Sequence, residues 1–67
     1  MIEIKFNGET RTAEEGTSLR KFLTDSGIMA ERCAASVNGK IIRSDLHVTT
    51  TLNDGDNLEI MVFVGGG

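Results

Sequence analysis

The stretch Asn57-Leu58-Glu59-Ile60-Met61-Val62-Phe63-Val64 alternates with period two. It places Leu58, Ile60, Val62 and Val64 on one face and Glu59, Met61 and Phe63 on the other. The turn signal Asn53-Asp54-Gly55-Asp56 precedes it, with Gly55 at the position most in need of a positive φ. The stretch therefore reads as a strand, and as the most apolar one in the chain it is expected at the centre of a sheet, pairing parallel to the first strand.

Ile2-Glu3-Ile4-Lys5-Phe6 alternates in the same way and puts Ile2, Ile4 and Phe6 on one face. Asn7-Gly8, the dipeptide best suited to a type I′ turn, follows, and Glu9 to Ala13 reads as a polar return strand. Beyond Gly16, Thr17 or Ser18 can serve as N-cap, and Leu19, Phe22 and Leu23 recur at i, i+3, i+4 until Gly27 stops the run. That predicts a short helix from Ser18 to about Ser26. Arg20 and Lys21 in its first turn and Asp25 in its last oppose the helix dipole, so packing of the apolar stripe must hold it.

Met29 to Cys33 fits either a further helical turn or the approach to a strand. Ala34 to Val37, Asn38-Gly39 and Lys40 to Arg43 read as a second hairpin. Ser44 to Leu52 is a crossing segment that drops Leu46, Val48 or Leu52 into the core. One helix covering one face of a mixed four- to five-stranded sheet satisfies every apolar stripe. That is an α+β, ubiquitin-like β-grasp, with residues 1–64 as the domain and 65–67 as a flexible Gly-Gly-Gly tail.

With 67 residues the chain has no room for a deep substrate cavity beside its own core, so it is not expected to be an enzyme. A single cysteine, Cys33, makes no internal disulfide, and with a single histidine, His47, it builds no structural zinc site, so no metal is expected. The longest apolar run, Ile60 to Val64, falls far short of the roughly 20 residues that span a bilayer. The charged, alternating N-terminus is unlike a signal peptide, so a cytoplasmic protein without membrane contact is expected. Seven basic against ten acidic side chains, with no basic run longer than Arg20-Lys21, speak against nucleic acid as a partner.

After Val64 the sequence reads Gly65-Gly66-Gly67. Average glycine usage of about 7% gives such a triplet a chance of roughly 3 × 10⁻⁴ at a given place. A frayed end or an expression remnant is the bland explanation. Functionally, three residues without Cβ can thread a narrow channel and present the α-carboxylate of Gly67 to another protein's active site. An activated glycine also cannot epimerise, which suits a carboxylate that is turned over repeatedly.

Over nearly its whole length the chain resembles the ThiS sulfur carriers of thiamine biosynthesis. The resemblance is carried by Ala35-Ser36-Val37-Asn38-Gly39, Arg43-Ser44, Thr51-Leu52-Asn53-Asp54-Gly55-Asp56-Asn57-Leu58-Glu59-Ile60 and Val64-Gly65-Gly66-Gly67. Members often carry a proline before the arginine and a tryptophan a few residues after it, where this chain has Ile42 and then Leu46-His47. The resemblance implies a β-grasp co-substrate rather than a catalyst. A ThiF-like adenylyltransferase using ATP and magnesium would join the Gly67 carboxylate to AMP, and the chain itself would bind no cofactor. A persulfide sulfur drawn from cysteine by a desulfurase would displace AMP to leave a thiocarboxylate, and thiazole synthase (ThiG) would take the sulfur for the thiazole ring. Gly65 and Gly66 would give the terminus its reach, and the free carrier is expected to be a monomer.

Met61 and Phe63, sent by alternation to the sheet face away from the helix, are the expected docking patch unless the crossing segment or the Met29 region covers them. Asp54, Asp56 and Glu59 either steer basic partners or are ordinary solvated charges. Cys33 reads as a small buried or half-buried hydrophobe rather than a sulfur relay, and His47 as a surface residue. The rival readings are a sister carrier for molybdopterin, cysteine or methionine synthesis, a ubiquitin-like modifier joined to lysines, and a plain binding module.

Overall fold

A computed structural model describes residues 1–63; Val64, Gly65, Gly66 and Gly67, including the last residue expected in the final strand, lie outside the described residues. Five strands form one sheet: β1 (Ile2–Phe6), β2 (Glu9–Ala13), β3 (Cys33–Val37), β4 (Lys40–Ile42) and β5 (Asn57–Val62). Their order is β2-β1-β5-β3-β4. β5 is central, parallel to β1 and antiparallel to β3. With the helix α1 (Leu19–Asp25) on one face, this is the mixed sheet and single helix of a β-grasp.

Ile2, Ile4, Leu58, Ile60, Ala35 and Cys33 point from the sheet into a core that receives Leu19, Phe22 and Leu23 from α1. Removing each large aliphatic side chain from water contributes about 1.5–3 kcal/mol. Phe6 meets Phe22 edge to face, with centroids 5.5 Å apart, and the Arg11 guanidinium carbon lies over the Phe6 ring, 5.2 Å from its centroid. Val62 shares the core-facing parity of β5 but overruns the core, at 48% exposed.

Seven residues are too few for a self-sustaining helix. Of the two candidate caps Ser18 is the one used, its Oγ accepting from Lys21 N at 3.0 Å. The crossing segment supplies the next acceptors: Leu19 N donates to Thr50 O at 2.8 Å and Arg20 N to His47 O at 3.0 Å. At the other end Gly27 takes φ 79°, Gly27 N donates to Thr24 O and Ile28 N to Leu23 O. This Schellman closure needs a left-handed residue where glycine stands. The adverse Lys21 and Asp25 offset each other as an exposed i,i+4 ion pair at 3.1 Å.

Met29 to Cys33 is both things the sequence allowed, a 3₁₀ turn over Ala30–Arg32 running directly into β3. In the crossing segment Leu52 is the residue that enters the core, while Leu46 and Val48 are exposed. His47 corrects the surface reading: it is 1% exposed. Its Nε2 lies 3.0 Å from Ile42 O, and since a carbonyl only accepts, Nε2 carries the hydrogen. Nδ1 has no partner. His47 is thus a structural pin between β4 and the 3₁₀ turn Ser44–Leu46, placed where local apolar periodicity carries no signal.

Candidate functional site

The central strand leads towards the glycine triplet, and both hairpin asparagines fasten it. Asn7 and Asn38 take φ 50° and 53°, the left-handed conformation that the first central position of a type I′ turn demands and that asparagine tolerates. Sequence reasoning finds these turns but not the second task of the side chains. After Asn7 N donates to Leu58 O at 2.9 Å, the backbone of β1 turns away. The Asn7 carboxamide then stands in for the missing peptide: Oδ1 accepts from Ile60 N at 2.8 Å and Nδ2 donates to Ile60 O at 3.1 Å. On the other side Asn38 Oδ1 accepts from Asn57 N at 2.9 Å and its Nδ2 donates to Asp56 Oδ1 at 2.9 Å. Asparagine is favoured in these turns for its φ alone, so no sequence signal separates the two roles.

Asp56 is therefore no steering charge. It is buried, and its other oxygen accepts from Asn53 N at 2.8 Å, closing the Asn53–Asp56 turn before β5 begins. Asp54 Oδ1 likewise accepts from Glu3 N at 2.8 Å. Of the three acidic residues considered for steering, Glu59 alone lies within a strand on the open face of the sheet.

Met61 and Phe63 stand 67% and 57% exposed, covered neither by the crossing segment nor by the Met29 region. Met61 is opposite Ala34 in the β3 register, and Phe63 N donates to Arg32 O at 2.8 Å, which keeps the chain in line one residue past β5. Ile41, 74% exposed on β4, widens the patch, and a shallow groove runs between Ile41, Ala34, Met61 and Asn7. The signal for Ile41 was present: two successive isoleucines in a strand must point to opposite faces. Gly65, Gly66 and Gly67, the expected tail and loading site, lie outside the described residues.

Cys33 faces the core, its thiol 3.8 Å from Ala30 O. Burial pushes the thiol pKa above its ordinary value, and the nearby Glu31 carboxylate adds to the shift. A thiol held protonated is a poor nucleophile, which fits a packing role. Among the described residues no group of three or more His, Cys, Asp or Glu side chains is placed to hold a metal ion, and no helix is long and apolar enough to cross a membrane.

A mixed sheet with a parallel central pair, one helix on a single face and an apolar strand end on the other defines a ubiquitin-like β-grasp domain. The chain belongs to the ThiS family, the sulfur carriers of thiamine biosynthesis, whose family model matches residues 4–67. The crystal structure of the thiamine biosynthesis protein ThiS from Geobacter metallireducens superposes with a TM-score of 0.83 at 28% identity, covering 98% of this chain and all of that one. The uncharacterised protein ycf40 of Porphyra purpurea is 36% identical over 98% of this chain and 93% of its own length. A thiazole synthase of Magnetococcus marinus is 32% identical, and one of Paramagnetospirillum magneticum 30%, each over 66 residues. This chain spans about a fifth of the length of those two synthases.

Proposed function

We propose that Gly67 carries the sulfur as a C-terminal thiocarboxylate, and that the domain is a co-substrate for partner enzymes rather than a catalyst. A Gly67 carboxylate oxygen attacks the α-phosphorus of ATP in a ThiF-like, magnesium-dependent adenylyltransferase, and pyrophosphate leaves. The terminal sulfur of a desulfurase-derived persulfide attacks the activated carbonyl, AMP leaves, and a second thiol cleaves the resulting S–S bond to free the thiocarboxylate. Thiazole synthase then accepts the sulfur and the carboxylate is restored. Gly65 and Gly66 supply a chain thin enough to enter both active sites. Met61 and Phe63, with Ile41 beside them, are the docking patch, and the cytoplasm is the compartment where these partners meet a free monomeric carrier.

The observation that carries this reading is the exposed Met61/Phe63 pair at the end of β5, followed in sequence by Val64 and Gly65-Gly66-Gly67. The thiazole synthase partner is further supported by the match of this domain to part of two much longer proteins of that name. Incubation with a ThiF-like enzyme, ATP, magnesium and a sulfur source, followed by intact mass, should show one oxygen exchanged for sulfur. Removing Gly66 and Gly67 should abolish that exchange and leave the thermal melt unchanged. No adenylate and no mass gain would overturn the carrier reading. A loaded carrier that fails to support thiazole formation would point to a sister pathway, and adducts on other proteins to a modifier.

A further inference from the structure

The two edges of β5 are unequally used. Residues 57, 59, 61 and 63 direct their backbone groups to β3, as Asn38 N to Asn57 O and Phe63 N to Arg32 O show, so residues 58, 60 and 62 face β1. Leu58 is met there by Asn7 N, and Ile60 by the Asn7 carboxamide. At Val62 β1 has already turned into its hairpin, and among the described residues neither the N–H nor the C=O of Val62 has a partner on that edge. The β3 ladder nevertheless holds Val62 extended, with Met61, Val62 and Phe63 all exposed. An extended strand with one unpaired edge and apolar side chains on both faces is a template for strand addition.

We infer that the Val62 edge of β5 is an interaction surface that takes an extended backbone segment of thiazole synthase by strand addition, beside the Met61/Phe63 face. The inference rests on the proposed function, which brings Gly67 into that enzyme's active site. Gly67 lies five residue steps beyond Val62, and even a fully extended chain covers no more than about 3.3–3.6 Å per step, so roughly 18 Å in all. An enzyme that encloses the Gly67 carboxylate must bring its own backbone within that distance of Val62. Asn7 closes the ladder at Ile60, which leaves Val62 as the position where added pairing begins. Backbone bonds there supply affinity without selecting a side chain, while Met61 and Phe63 select on the adjoining face.

The test is amide exchange by NMR on the ¹⁵N-labelled chain, free and saturated with thiazole synthase, together with affinity for Val62→Pro and Val62→Ala. Proline removes an N–H that has no internal partner and suits an extended edge position, so the fold, checked by circular dichroism, is retained. The Val62 amide should exchange freely in the isolated chain and at least about tenfold more slowly in the complex. Val62→Pro should bind about tenfold or more weakly, and Val62→Ala, which keeps the N–H, within about twofold of the parent. Shifts at Met61 and Phe63 with an unprotected Val62 amide and an unweakened proline variant would overturn the edge and leave the face and the functional reading standing. Absence of any binding would overturn both. Protection that grows with carrier concentration alone would assign the edge to a second copy of this chain.

Discussion

Truncating Asn7 isolates the device that holds the central strand. Asn7→Ala removes two hydrogen bonds to the Ile60 backbone, at 2.8 and 3.1 Å, and leaves a β-carbon residue at φ 50°. Each bond contributes about 0.5–1.5 kcal/mol, and alanine forced into the left-handed region costs about 1 kcal/mol more than asparagine. The expected loss is about 2–4 kcal/mol. A domain of 67 residues is stable by roughly 3–10 kcal/mol, so this is a large share of the total. The midpoint should fall by roughly 10–30 °C, since 1 kcal/mol shifts a domain of this size by about 4–8 °C.

Two companions separate the contributions. Asn7→Gly relieves the φ cost while still deleting both bonds, and should lose about 1–3 kcal/mol. Asn7→Asp keeps the acceptor for Ile60 N–H but sets a second oxygen against Ile60 O. Protonation converts that oxygen into a donor, so repulsion between the carboxylate and Ile60 O raises the carboxyl's folded pKa, and the variant should regain stability relative to the parent as pH falls through it. Urea unfolding followed by circular dichroism, at neutral and acidic pH, reads all three. Asn7→Gly within 0.5 kcal/mol of the parent, together with an Asn7→Asp deficit that does not shrink in acid, would refute the carboxamide as a substitute peptide.

Replacing Met61 and Phe63 together by serine should leave the melt within about 0.5 kcal/mol, because both are exposed, yet weaken binding to the adenylating enzyme at least tenfold by calorimetry. Unchanged affinity would remove the docking patch. Cys33→Ala should leave sulfur loading unaltered, and the native thiol should react with an alkylating reagent at neutral pH far more slowly than in the unfolded chain. Because folding raises this thiol's pKa, its contribution to stability is complete below the unfolded value and fades as pH climbs through the folded one, which an alkaline melt series will show. His47→Ala should cost about 2–4 kcal/mol through the cavity and the lost partner of Ile42 O, with no effect on loading.

What the amino-acid sequence made readable is what repeats along it. Period-two alternation in β1 and β5, the Asn-Gly turns and the Leu19/Phe22/Leu23 stripe are local patterns, and the structure has each where the pattern puts it, except that β5 ends at Val62 and leaves Phe63 outside the strand. The crossing segment is not periodic. Its burial is decided by which residue faces α1 and β4 after a long connection, so Leu52 and His47 enter while the apolar Leu46 and Val48 stay out. Hydrogen bonds spanning 53 residues, such as Asn7 to Ile60, are invisible for the same reason: nothing in the composition of a turn says what its side chain will meet.

The polar clamps also bear on how a domain this small can offer a working end. β5 must be held firmly enough to present Met61, Val62 and Phe63 in register, yet β1 has to stop short if the strand is to keep an edge free. Running β1 straight on through position 9 would bring a carbonyl to the Val62 N–H and close that edge. Ending it at a hairpin with glycine in place of Asn7 would leave Ile60 without its partner and let the strand fray below the patch. Asparagine at position 7 meets both demands with one side chain: it turns the backbone away at φ 50° while its carboxamide completes the ladder at Ile60. The boundary between folded handle and presented strand thus falls between Ile60 and Met61.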